Sequence, residues 1–108
     1  MEIKHRPDCP VARSASLLGD RWSLLILRNL ILDGPHRFQD FSRTLDGISP
    51  TTLSARLKSL QDGGLITREV VPSRPPKTVY SLSEAGKAAR PIIRAMREFG
   101  SSLPPTTE

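Results

Sequence analysis

The chain has 108 residues and a formal net charge of +5, because 16 Lys and Arg residues outnumber 11 Asp and Glu residues. This length fits one compact domain and excludes a two-domain enzyme with a cleft between its domains. The excess of positive charge predicts an anionic partner. The hydrophobic fraction of 37% predicts a thin core that a second subunit would help to bury.

The chain lacks the residues that several classes of protein need for their function. Cys9 is the only cysteine, so the chain has no internal disulfide and no CxxC pair. The longest apolar run, Leu24 to Leu27, is far shorter than the roughly 20 residues of a membrane span, and no signal peptide is recognised. With a single cysteine and no membrane segment or signal peptide, we expect a cytoplasmic protein. With two histidines, no HExxH and no phosphate-binding glycine loop, we expect that it is not an enzyme and uses no metal or cofactor.

The first half of the chain predicts an arm and two helices. Residues 1–10 contain two prolines and predict an extended arm. A short helix follows from Val11 to Leu18, and Gly19 is expected to end it in the left-handed conformation. Asp20 then caps a helix from Trp22 to Leu32, which is apolar on nearly every face and is expected to be buried almost all round.

The helix from Pro50 to Asp62 is bounded at both ends by sequence chemistry. It follows a second short helix, from Phe38 to Thr44. Ser49 is an N-cap, Pro50 suits the first helical position, and Gly63 or Gly64 supplies the stop. Three residues at steps of four and three share its apolar face: Leu53, Leu57 and Leu60. The opposite face is small, polar and partly basic: Thr51, Ala55, Lys58, Ser59 and Asp62.

The remaining sequence predicts a hairpin and a final helix. Two β-branched and aromatic runs, Leu65 to Val71 and Thr78 to Leu82, flank a stiff basic tip, PSRPPK. Ser83 caps the final helix, which Pro91 should bend or restart. One face carries an apolar stripe: Ala85, Ala88, Ala89, Ile92, Met96 and Phe99. The opposite face is a solvated basic face: Lys87, Arg90, Arg94 and Arg97.

A short helix, a turn at about Leu45 to Ile48 and a capped helix with a polar outward face form a helix-turn-helix unit, and the hairpin forms a wing. The predicted fold is therefore mainly α with a small β-hairpin. The segment from Pro35 to Leu82 contains seven basic and four acidic residues, which is most of the excess charge. In such a unit the second helix enters the major groove of DNA.

Three stretches carry a resemblance to a known family: CPVARSASLLGDRWSLLILRNLILDGPHRFQDF, GISPTTLSARLKSLQDGGLI and YSLSEAGKAARPII. They resemble the HxlR family of bacterial winged-helix transcriptional regulators, over about residues 9–100. The resemblance implies a dimeric winged helix-turn-helix domain over residues 11–100. The composition predicts an arm at 1–10 before it and a disordered tail at 101–108 after it. It further implies a homodimer on a roughly palindromic double-stranded DNA operator. Its dimer interface would include Val11, Leu18, Ala88, Ile92, Met96 and Phe99.

The family's DNA contacts can be carried over by position. Bases would be read by Thr51, Thr52, Ala55 and Arg56. Phosphates would be contacted by Arg37, Ser49 and Lys58. Ser59 lies on the same outward face of the helix. In the wing, Arg74 and Lys77 would contact the DNA backbone or the minor groove. Family members often carry Lys or Arg at the position of Thr51, so the operator preference does not transfer. Arg56 is long enough to reach a base and is the preferred candidate for base contact.

Cys9 leaves two interpretations open. Some family members sense oxidants or electrophiles through a cysteine at this position, and Cys9 lies near basic residues at a helix start. The other interpretation is a small packed residue near the dimer interface. A small-molecule or oxidant effector is therefore a candidate partner. A winged-helix module used only for protein contacts is the rival class, although it would not need a polar recognition face and a basic wing. Trp22 and Tyr80 are expected to pack in the core.

Overall fold

The computed structural model describes residues 9–105, so most of the predicted arm and the last three residues lie outside the described residues. Six helices and two strands occur within this range. In chain order they are α1 Pro10–Leu18, α2 Arg21–Asp33, α3 Phe38–Thr44, α4 Pro50–Asp62, β1 Ile66–Val71, β2 Lys77–Leu82, α5 Glu84–Lys87 and α6 Arg90–Ser101. The predicted element order is confirmed. No helix within residues 9–105 is long and apolar enough to cross a membrane.

The predicted helix caps are present. Asp20 Oδ1 accepts a hydrogen bond from Trp22 N at 2.9 Å, and Ser83 Oγ accepts one from Gly86 N at 3.0 Å. Each cap satisfies a backbone N–H that has no partner within its helix. Gly64, with φ +81°, follows α4 in the left-handed conformation. These short polar side chains and one glycine therefore set the helix boundaries, as expected from the sequence.

Two local predictions are wrong. Gly19 has φ −77°, outside the left-handed region. A glycine is nevertheless required there, because a Cβ would collide with the Ala15 carbonyl oxygen. The tail was also expected to be disordered from residue 101, yet Ser101 ends α6 and Leu103 N donates to Gly100 O at 3.1 Å. The chain leaves the helix through a hydrogen-bonded turn instead.

The hairpin has one more pairing partner than predicted. β1 and β2 are antiparallel, and their register runs from Ile66 opposite Leu82 to Val71 opposite Lys77. Lys77 was expected in the tip but begins β2. His36 adds an isolated bridge: its N–H donates to Tyr80 O at 2.9 Å and its carbonyl accepts from Tyr80 N at 2.8 Å. The segment before α3 is thereby attached to the inner edge of the wing.

The core lies where α2, α3, α4 and the hairpin meet. It consists of Ile26, Leu27, Leu30, Phe41, Leu45, Leu53, Leu57, Leu60, Leu65, Ile66 and Tyr80. Trp22 is half-buried against it, so both aromatic residues expected in the core contribute to it. The expectation that α2 is buried almost all round is wrong, since Leu32 is 60% exposed and Leu24 and Leu25 are only half-buried. That side of α2 faces α6 across an open groove.

Candidate nucleic-acid interface

The turn before α4 places the start of that helix at the surface. Gly47, with φ +89°, lets the chain reverse direction after α3, and Ile48 N donates to Leu45 O at 3.1 Å. Ser49 Oγ accepts from Thr52 N at 3.1 Å and donates to Thr52 Oγ1 at 2.9 Å. The hydroxyl expected to contact phosphate is therefore already used as the N-cap of α4.

The two faces of α4 differ sharply. Leu53, Leu57 and Leu60 are 0–2% exposed and fix the helix to the core. The exposed face contains Thr51, Ser54, Ala55, Lys58 and Gln61. Ser54 and Gln61 were missed, although helical spacing from Thr51 and Lys58 predicts their position. Thr52 and Ser59, which were assigned to DNA contact, are half-buried at the edges of this face.

Arg56 lies on the flank of α4 and turns toward α2. Its Nη1 donates to Asp20 Oδ2 at 3.3 Å, and both side chains are about one-third exposed. Asp20 Oδ2 also accepts from Ser23 Oγ at 2.6 Å. Burial alone would raise the pKa of Asp20, but the hydrogen bonds from Ser23, Trp22 N and Arg56 together hold that pKa below its ordinary value. The residue preferred for base contact is thus held beside the N-terminus of α2.

Lys58 is exposed on the polar face and has a carboxylate neighbour. Its Nζ lies 3.1 Å from Asp62 Oδ2, and both side chains are more than 60% exposed. An exposed pair one helical turn apart contributes only about 0.3–0.5 kcal/mol. Lys58 can therefore exchange this partner for a phosphate at small cost.

Arg37 is the N-cap residue that precedes α3, next to the wing. Its backbone N–H donates to Asp40 Oδ2 at 2.8 Å, and Arg43 Nη2 lies 2.6 Å from Asp40 Oδ1. These contacts, with the Arg37 N–H making the largest contribution, hold the pKa of Asp40 below its usual range. The Arg37 residue itself is exposed. Since His36 is bridged to Tyr80, Arg37 is held at the base of the hairpin.

The wing carries its basic residues into solvent. Arg68, Arg74 and Lys77 are all exposed, on β1, at the tip and at the start of β2. Ser73 Oγ donates to Pro75 O at 2.5 Å, and the Arg74–Pro75 peptide is cis. A local hydrogen bond thus links the residues on either side of Arg74 at the tip.

The residues assigned to a dimer interface do not all share one environment. Val11, Ile92, Met96 and Phe99 are 75%, 40%, 45% and 66% exposed, and Ala88 is exposed as well. Leu18 differs, because it is half-buried against the core of its own chain. α6 has no buried residue.

Cys9 is half-buried at the N-cap of α1, and its side chain makes no capping hydrogen bond. Two of the basic residues expected near it, His5 and Arg6, lie outside the described residues. No group of three or more His, Cys, Asp or Glu residues suited to a metal ion occurs within residues 9–105.

A short helix, a glycine turn, a capped helix with a buried leucine face and a basic hairpin together define a winged helix-turn-helix protein. Residues 17–107 match the model of the HxlR-like helix-turn-helix family. The chain belongs to this family, as its sequence resemblance indicated.

Individual relatives agree with this assignment over nearly the whole chain. The HTH-type transcriptional regulator YodB of Bacillus subtilis (strain 168) is 40% identical over 96 residues, which are 88% of this chain and 85% of YodB. The oxidized form of the redox regulator HypR superposes with a TM-score of 0.85 at 34% identity, covering 91% of this chain and all of HypR. The reduced form of B. subtilis YodB superposes with a TM-score of 0.76 at 37% identity, covering 93% and 98% of the two chains.

Proposed function

We propose that this protein is a transcriptional regulator that binds double-stranded DNA sequence-specifically as a homodimer in the bacterial cytoplasm. The observation that carries the proposal is the contrast between the two faces of α4. Three buried leucines fix one face, while the other is exposed, small and polar. A rigid helix with such a face fits the major groove, and the wing contacts the backbone or minor groove.

The exposed face of α4 offers short side chains for reading bases. Thr51 and Ser54 supply hydroxyls, and Ala55 supplies a methyl group that can pack on the methyl of thymine. Because Thr51 has a single hydroxyl and no guanidinium or ammonium group, bidentate recognition of guanine is not available there. Around this face, Arg37, Lys58, Arg74 and Lys77 supply the positive charge for phosphates.

The exposed apolar residues of α1 and α6 support the dimer. Val11, Ile92, Met96 and Phe99 leave a large apolar surface in water. Large exposed apolar residues that share one helix face, as Ile92, Met96 and Phe99 do by their spacing, are typical of protein interfaces. A twofold dimer would present two copies of α4 to successive turns of the major groove, which requires a roughly palindromic operator.

The experiment is a mobility-shift titration with the promoter region next to the protein's own gene, over a range of salt concentrations. Specific retardation that weakens steeply as salt rises is the expected result. Lys58→Ala should weaken binding to all sequences and reduce the salt dependence, while Lys87→Ala on α5 is the matched control. Absence of retardation at low salt would contradict DNA binding and favour a module for protein contacts.

A second candidate function is redox control through Cys9. The half-buried thiol is not engaged in capping α1, and HypR, one of the similar structures, is a redox regulator. With one cysteine per chain, peroxide would oxidise two Cys9 thiols of a dimer to a disulfide and be reduced to two water molecules. Alternatively, peroxide would oxidise one Cys9 thiol together with one small thiol to a mixed disulfide and again be reduced to two water molecules.

Peroxide treatment followed by the same mobility-shift assay tests this function. Oxidation should change DNA binding of the wild type, and non-reducing gels should show whether the chains become linked. Cys9→Ser should abolish both effects. An unchanged response in Cys9→Ser would assign Cys9 a packing role.

A further inference from the structure

A groove of about 550 Å³ lies between α2 and α6, on the opposite side of α2 from the core. Its floor includes Leu24, Leu25 and Ile31 of α2 and Ile93 of α6. From Leu24 to Leu32 the helix rises about 12 Å, which sets the length of the groove. Both the volume and the mainly apolar lining are typical of sites for small organic molecules.

Four arginines surround this apolar floor: Arg28, Arg90, Arg94 and Arg97. The three on α6 were expected to form a solvated face; they are exposed, but they also line the groove. No carboxylate within residues 9–105 forms an ion pair with any of the four. Arg28 Nη2 donates to the neutral Asn29 Oδ1 at 2.9 Å, so the partner of this guanidinium among the described residues carries no charge.

The charge pattern favours a small anion over a second copy of the chain as the occupant. Near the axis of a twofold dimer each surface meets its own copy, so guanidinium groups would face guanidinium groups. Of the α6 residues assigned to the dimer interface, Met96 lines the groove, whereas Ile92 and Phe99 do not and provide an uncharged surface for that contact. The groove itself combines apolar surface with cations that bind carboxylates in a planar, bidentate geometry.

We propose that the groove between α2 and α6 binds an amphipathic organic anion. A carboxylate is held by the arginines of α6, and the apolar body lies against the leucines of α2. The site is separate from the exposed face of α4, and the proposal does not depend on DNA binding.

Calorimetric titration of the full chain without DNA tests this site, with octanoate as the probe. The controls are 1-octanol, which keeps the chain but lacks the charge, and acetate, which keeps the charge but lacks the chain. We expect one octanoate per protein chain and binding of each control that is weaker by about tenfold or more. Equal heats for octanoate and acetate would overturn the proposal.

A pair of variants locates the site. Arg94→Gln should weaken octanoate binding by about tenfold or more, whereas Arg68→Gln, which removes the same charge from the wing, should leave it unchanged. Equal losses in the two variants would overturn the proposal, because they would indicate nonspecific attraction to a basic protein. Absence of octanoate binding by a wild-type dimer would also overturn it and assign the groove to the partner subunit.

The NMR signals of methyl groups test the site in the wild-type protein, so the result does not depend on whether a variant folds. Octanoate should shift the signals of Ile31 and Ile93 in the wild-type protein and leave those of Leu53 and Leu57 in place. Shifts confined to the latter two residues would place the ligand elsewhere and overturn the proposal.

Discussion

The recognition region, from α3 through the hairpin, buries most of its apolar residues. The terminal helices α1 and α6 leave several of theirs exposed to solvent. In α4 the three leucines are 0–2% exposed, and the residues left in solvent are polar or small. In α6 no residue is buried, and Ile92, Met96 and Phe99 are 40–66% exposed. The chain itself completes the packing of the recognition region, whereas nothing within residues 9–105 covers the apolar stripe of α6.

The difference between the two regions lies in the apolar area that each buries within a single chain. Burial of apolar area stabilises by about 25 cal/mol per Å², so the core residues around α2 and α4 carry the stability of the single chain. The apolar side chains of α6 gain that stabilisation only on association. Perturbations of the two regions should therefore affect different measurements.

The largest effect on folding is expected from the buried face of α4. Leu57→Ala should lower the free energy of unfolding by about 2–5 kcal/mol, because it removes buried methyl groups and leaves a cavity beneath the recognition helix. Leu32→Ala, which makes the same change at a residue that is 60% exposed, should alter it by less than about 0.5 kcal/mol. Urea denaturation measures both, and equal losses would contradict the burial contrast.

The next effect concerns association. Phe99→Asp should weaken the proposed homodimer by about 2 kcal/mol or more, since it introduces a charge at the most exposed large residue of the apolar stripe, close to the C-terminus of α6. Sedimentation equilibrium should show monomers at concentrations where the wild type is dimeric. Val70→Asp places the same charge at an exposed valine of the wing and serves as the control. Dimers of unchanged strength in Phe99→Asp would exclude α6 from the interface.

A smaller effect is expected at the junction of α4 and α2. Arg56→Ala should weaken specific DNA binding by about 1–3 kcal/mol and nonspecific binding by less, if Arg56 contacts a base. Asp20→Asn retains an N-cap but removes the charge that pairs with Arg56, so it should weaken specific binding less. Equal losses in mobility-shift titrations would assign the pair a purely structural role.

The smallest effect is expected in the way the free energy of unfolding falls at acidic pH. The pKa values of Asp20 and Asp40 are lowered in the folded chain. Their stabilisation is therefore complete above the unfolded value of about 3.9 and is lost as pH falls through the folded value. Denaturation between pH 2 and 5 should show a shallower acid slope for Asp40→Asn. Asp46→Asn, at the exposed turn, is the control, and parallel curves for wild type and Asp40→Asn would contradict the prediction.

Local chemistry made the recognition region predictable. The bounds of α4 follow from Ser49, Pro50 and the glycines after Asp62, and the leucine spacing indicates its buried face. The position of Arg56 was harder to predict, since a flank position leaves a long side chain free to turn either way. Only its proximity to Asp20, 36 residues away in the chain, decides where the guanidinium lies.

The sequence by itself determined the helix caps, the two faces of α4, the hairpin and the family, because these depend on neighbouring residues and on short-range periodicity. Tertiary structure alone decided which side of α2 stays open, that His36 joins the hairpin, and that Arg90, Arg94 and Arg97 line a groove instead of a plain solvated face. Each of these features requires two segments far apart in the chain to approach each other. Side-chain periodicity within one segment carries no information about that approach.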